Sequence, residues 1–183
     1  MMRHKNGIYT LLFFFFFHAA PIIAQEGPPG DEQEFEKQYQ ERIKKDKLNG
    51  VYIPKNLDDA MLQLDKNISP ESQAKIKAIP EDSVCALLHN RLGQWMILNW
   101  GFYGGSRLSH YLRSAGVTFP DDMADLLILA YHRKLNGKTI AMKELAPPFR
   151  EKRKKERAEE LKKGKVIQEE KRKKETAGQK SGN

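Results

Sequence analysis

PEDSVCALLHNRLGQWMILNW, residues 80–100, decides the fold. Pro80-Glu81-Asp82 is a helix start, a first-turn proline followed by acids that suit the positive end of the helix dipole. From there to about Trp100, Val84, Leu87, Leu88, Leu92, Trp95, Met96, Ile97 and Leu98 cover most of the helical circumference. A helix apolar nearly all round belongs in the middle of a bundle. Gly93 within it would let a neighbouring helix come close. Cys85, the single cysteine, excludes an intramolecular disulfide and a Cys-rich zinc site and reads as a small buried residue.

Four further helices are expected around this one. Asn56 caps a helix whose Leu57, Ala60, Met61, Leu64 and Ile68 share a face. Ser69-Pro70-Glu71 starts a short helix to about Ile79. Ser106 caps a helix with Leu108, Tyr111, Leu112 and Ala115 on one face and Gly116 as its stop. Pro120-Asp121-Asp122 starts the last, lined by Met123, Leu126, Leu127, Ala130 and Tyr131 and ended by Asn136-Gly137. No run alternates with period two. Residues 51–146 are therefore expected to form an all-α domain, a small orthogonal or irregular bundle of about five helices.

The flanks differ from this body. Residues 1–24 have a basic start (Arg3, His4, Lys5), an apolar run from Ile8 that includes Phe13–Phe17, and Ala24 at a cleavage position. That is the pattern of a signal peptide, so the protein is expected to be exported, periplasmic or secreted. The alternative is an uncleaved membrane anchor, at the short limit of a spanning helix. Residues 25–50 read as a flexible, charged helical extension, with Phe35, Tyr39 and Ile43 as a stripe too thin to fold alone and Asn49-Gly50 as a turn. Pro147-Pro148 should break the chain before a basic tail, residues 147–183, which lacks the apolar surface for a core. Glu-to-Lys pairs at i, i+4 would make it a solvated helix, with disorder from Thr176.

The 183 residues are 31% charged with a net charge of +8, and mean hydropathy is −0.68, which excludes a polytopic membrane protein. The excess charge is a property of the tail. Residues 150–183 carry fourteen Lys/Arg against seven Asp/Glu, whereas residues 51–149 carry eleven against ten. A near-neutral body argues against a nucleic-acid partner. Weak contact with an anionic polymer or a membrane surface through residues 150–174 is the binding the tail allows.

Chemistry is sought first in NWGFYGGSR, Asn99–Arg107, where Trp100, Phe102 and Tyr103 stand beside three glycines and feed into a capped helix. Free N–H groups at that helix start, with Arg107 and His110 on the first turns, can hold an anion, and the aromatics can stack on a sugar or peptide group. Trp100, Phe102, Tyr103, Ser106, Arg107 and His110 are the candidate binding residues. The plainer reading is a helix corner whose aromatics close the core. His89, His110 and His132 lie on different helices without metal-ligand spacing, so no metal or cofactor is expected. Asp121, Asp122 and Asp125 read as helix-start acids. No nucleophile elbow is present, and no catalytic residue is assigned.

Tyr52–Ile140 resembles an uncharacterised bacterial family of unknown function found in exported proteins of Bacteroidota. The resemblance is carried by Ile53-Pro54-Lys55-Asn56-Leu57-Asp58-Asp59-Ala60, Leu92-Gly93-Gln94-Trp95, Asn99-Trp100-Gly101-Phe102-Tyr103, Gly105-Ser106-Arg107-Leu108-Ser109, Pro120-Asp121-Asp122-Met123 and Tyr131-His132-Arg133-Lys134-Leu135-Asn136-Gly137. It implies a fold and no mechanism. Where such sequences commonly place a His before Pro-Asp-Asp, this chain has Phe119. The reading that follows is an exported, non-enzymatic helical interaction module whose partner is a protein or envelope component. Its rivals are an envelope enzyme or small-ligand binder around Arg107, His110 and His132, and a polyanion binder acting through the tail.

Overall fold

The computed structural model describes residues 30–180, so the expected signal peptide, residues 1–24, lies outside the described residues. Helix α1 spans Glu32–Arg42, strand β1 Lys47–Leu48, strand β2 Val51–Tyr52, and helices α2 and α3 Leu57–Asn67 and Pro70–Lys77. The expected central helix is a rod in three parts: α4 (Val84–Leu88), a π-helical segment (His89–Gly93) and α5 (Gln94–Asn99). Helices α6 (Arg107–Ser114), α7 (Pro120–Leu135) and α8 (Met142–Lys180) complete the order. The protein is a small all-α bundle. The minimal antiparallel hairpin, Leu48 opposite Val51, is turned by Asn49 and Gly50, both at positive φ, the conformation a two-residue hairpin loop requires.

The expected caps form. Asn56 accepts from the Asp59 N–H and Ser69 from the Ser72 N–H. Ser106 accepts from the Ser109 N–H while the Ser109 hydroxyl accepts from the Ser106 N–H. Each satisfies a donor that the first helical turn leaves without a partner.

The middle of the bundle is α7 and not the rod. Met123, Ala124, Leu126, Leu127, Ile128, Ala130, Tyr131 and His132 are all buried. In the rod, Val84, Gly93, Met96, Ile97 and Trp100 face the core, while Leu87 and Leu98 are 61% and 71% exposed. The π segment accounts for the discrepancy. Val84 and Gly93 are nine residues apart, about two and a half α-turns, and would stand on opposite sides of an unbroken α-helix. One wider turn re-phases the rod so that both face α7. Two successive core faces read at a single period of 3.6 look like a helix apolar all round. Gly93 sits tightly at that contact, since a Cβ there would lie 3.5 Å from Ile128 and 3.6 Å from Ala124.

Three expectations about the flanks are corrected. Helix α1 is docked on the body by Tyr39 and Arg42, so residues 32–42 are not a loose extension. Pro147 and Pro148 do not break the chain, because α8 runs through them. A proline removes the hydrogen bond to the carbonyl four residues earlier. Those carbonyls belong to Lys143 and Glu144, exposed residues in the first helical turns that water can reach. Leu145 and Ala146 are buried, and Phe149 packs on the core. Arg153 lies over the Phe119 ring, 4.1 Å from its centre, and donates to the buried Asp122. The helix continues past Thr176 to Lys180, where disorder was expected. No helix among the described residues is long and apolar enough to cross a membrane.

Candidate functional site

The corner Asn99–Arg107 is closed. Trp100 and Phe102 are buried in the core, with the Trp95 ring edge-on to Trp100 at 5.6 Å. Helix α1 covers the glycine turn. The Tyr39 ring lies against Gly105, in the space a Cβ would take, and Gly105 has φ +86°. The Arg42 Nε donates to the Gly105 carbonyl at 3.0 Å, and the Tyr39 hydroxyl meets His110 Nδ1 at 2.9 Å. Ser106 is buried in its cap, and of the aromatics only Tyr103 is largely exposed.

Arg107 is turned inward. Its Nε donates to the Ile53 carbonyl at 2.7 Å, and its guanidinium lies 5.0 Å from the centre of the Tyr52 ring. Its Nη2 is buried without a partner. Asp59 accepts from the Tyr52 hydroxyl and the Lys55 N–H, both at 2.9 Å. Burial opposes the charge on Asp59, but the Lys55 N–H and the Tyr52 hydroxyl outweigh it and hold the carboxyl below its usual range.

The structure does not bring Arg107, His110 and His132 onto common partners. His110 meets Tyr39, and the buried His132 donates from Nε2 to the Ile79 carbonyl at 2.8 Å, tying α7 to the end of α3. Sequence reasoning missed the grouping around the remaining histidine. His89, in the π segment, has Nδ1 2.7 Å from Asp125 and Nε2 3.3 Å from Asp121. The two aspartates are four apart on α7, a spacing that marks one helical face. Cys85 donates to the Asp125 carbonyl at 3.4 Å, and burial, with the nearby Asp125 charge, pushes its thiol up to about 11. This group clamps the rod to α7. Among the described residues, no cluster of three His, Cys, Asp or Glu side chains is arranged to hold a metal ion.

Open space lies elsewhere. A groove of about 520 Å³ runs between α2–α3 and the outer side of the rod. Leu64, Ile68 and Ile76 form one wall and Leu88, Leu92 and Trp95 the other, with Asn67 and Arg91 as the polar groups. A second cleft, of about 560 Å³, lies between Thr118–Phe119 and α8, edged by Arg153, Lys154 and Arg157 together with Glu156 and Glu160. The sequence signal for the first groove was present in the excess of apolar residues between Leu87 and Leu98, with Arg91 set among them.

Fold and site together define a small helical-bundle domain with an apolar groove that the described residues leave open. A domain of unknown function, DUF6794, is found over residues 53–135, within the stretch whose resemblance was expected. It takes in α2 to α7 and leaves out α1 and α8. Comparison with curated proteins and with solved structures returns no match.

Proposed function

We propose that the protein is an exported, non-enzymatic helical interaction module from a bacterium of the Bacteroidota type. It recognises a protein or envelope component through the groove on the outer side of the rod. The observation that carries this reading is the wall formed by Leu88, Leu92 and Trp95, whose apolar surface the described residues leave open to solvent, on a rod that also exposes Leu87 and Leu98. Apolar surface gathered in a concavity with a few polar groups is the usual form of a recognition site. The aromatic corner is the weaker surface, because α1 already lies on it. The enzyme reading is weaker still, because Arg107, His110 and His132 each engage a separate structural partner.

The test is photo-crosslinking in envelope extract, with the reactive residue at Leu87, at Leu98 or, as a comparison, at Tyr103. All three positions are exposed, so the fold tolerates them. A discrete product is expected from positions 87 and 98, absent from 103 and abolished by Trp95→Ser in protein that circular dichroism shows to be still folded. Equal products from all three positions, or indifference to Trp95→Ser, would count against the groove.

A second reading rests on the cationic edge of α8. Residues 150–174 can hold anionic polymers or membrane headgroups by electrostatic attraction, which weakens as salt screens it. Retention on a polyanion column that survives loss of those residues would end this reading.

A further inference from the structure

We propose that the groove takes an aliphatic carboxylate, an unbranched apolar chain ending in one anion. This rests on the groove being the recognition surface and names the chemistry that it selects. Six apolar side chains line it and no carboxylate does. Its volume, about 520 Å³, falls in the range of roughly 300–1,000 Å³ in which proteins hold small ligands. One cation, Arg91, stands at its edge. Arg91 is exposed and, among the described residues, makes no ion pair with Asp or Glu, unlike Arg133 on Glu81 or Arg153 on Asp122. A guanidinium presents paired N–H donors in the geometry of a carboxylate. Asn67, on the opposite wall, uses its side-chain amide on the Gln63 carbonyl at 2.8 Å, which leaves it a second amide N–H for the same anion. The apolar walls with one cation at the edge match a single chain with one charged end better than a neutral chain or a polyanion. A neutral chain would leave Arg91 unused, and a polyanion would require more than one cation.

Trp95 reports occupancy. It lines the groove and is 38% exposed, whereas Trp100 is 1% exposed and outside it. Fluorescence titration of the purified protein with dodecanoate, octanoate and dodecanol, each below its aggregation concentration, is therefore decisive. Dodecanoate is expected to give a saturable change that Trp95→Phe removes. Octanoate should bind at least tenfold more weakly, because each methylene withdrawn from water contributes to binding. Arg91→Gln should weaken dodecanoate about tenfold and leave dodecanol, already weaker, unchanged. This exposed substitution should not shift the melting temperature. The proposal is overturned by absence of a saturable change with dodecanoate, by equal affinity for dodecanol, or by equal dodecanoate affinity in Arg91→Gln. Dodecanoate failing while Trp95→Ser still abolishes the crosslink would sink the ligand and spare the module. Dodecanoate binding as expected while the crosslink ignores Trp95→Ser would do the reverse.

Discussion

Arg107 has five N–H donors, and the fold gives its Nε the Ile53 carbonyl and its face the Tyr52 ring, 54 and 55 positions earlier in the chain. Local spacing shows that Arg107 follows a cap. It cannot show which distant carbonyl the side chain will meet, so the Ser106 cap was legible and the inward turn of Arg107 was not. The same limit hid the pairing of His89 with Asp125. Cys85 was read as a small buried residue and is half-buried, packed against the core. With the thiol pushed up to about 11 by burial and the Asp125 charge, almost no thiolate is present at neutral pH. Iodoacetamide should label the folded protein far more slowly than the urea-unfolded chain at pH 7.5, and equal rates would refute the shelter. Glu81 is a contrasting case. It accepts from Arg133 at 2.8 Å and Lys138 at 2.6 Å, and Lys138 and then Arg133 draw its carboxyl from 4.5 down to about 2. A folded value below the unfolded one means stabilisation that is full above about pH 4.5 and lost as pH falls towards 2. Glu81→Gln should therefore cost about 1 kcal/mol at pH 7, given the partial exposure of the group. Melting curves of the two proteins from pH 7 to pH 2 should converge at the acid end.

Helices α2, α6 and α7 were legible because each announces itself locally, with a cap or first-turn proline followed by apolar residues at helical spacing. The rod was only half legible. Its ends were placed to within a few residues, but a fixed period hid the re-phasing at His89–Gly93 and made an outer helix look central. The groove is the physical consequence, the face that the re-phased rod turns away from α7. Helix α1 shows the opposite error. Its stripe was read as too thin to fold alone, and none of its residues is buried. It forms because Tyr39 and Arg42 find Gly105, a contact 63 to 66 positions along the chain that no local pattern reveals. An isolated helix of eleven residues is marginal in water, so undocking should unfold it. Arg42→Ala removes the hydrogen bond to Gly105. Gly105→Ala places a methyl in the Tyr39 ring at φ +86°, at a strain of about 1–3 kcal/mol. Hydrogen exchange should accelerate over Glu32–Arg42 in both variants while α7 keeps its protection. Unchanged exchange over α1 in both would mean that other contacts hold it.

Across the whole molecule, the family-matched stretch, residues 53–135, does not cover the packed unit, because α8 contributes Leu145, Ala146 and Phe149 to the same core. The proline pair invited a boundary at residue 147. The core instead extends into α8, and the charge on Asp122 requires it. Asp122 is 1% exposed at the start of α7, with Arg153 and Lys152 as its cations. A chain ending after Ala146 would lose both cations and the Phe149 contact. Breaking a buried ion pair by removing one side costs about 3–5 kcal/mol, because the other charge stays buried. The α7 N-terminus lowers that figure, since its dipole favours a carboxylate there. A loss of about 3 kcal/mol is the expectation for the chain ending after Ala146, against a much smaller one for a chain ending after Lys165, which keeps Phe149, Lys152 and Arg153. Urea unfolding of the three chains measures this directly, and Asp122→Asn in the shortest chain should restore part of the loss by removing the unpaired charge. If the two truncations unfold at the same midpoint, the N–H groups of α7 suffice for Asp122, and the first turns of α8 do not belong to the folded unit.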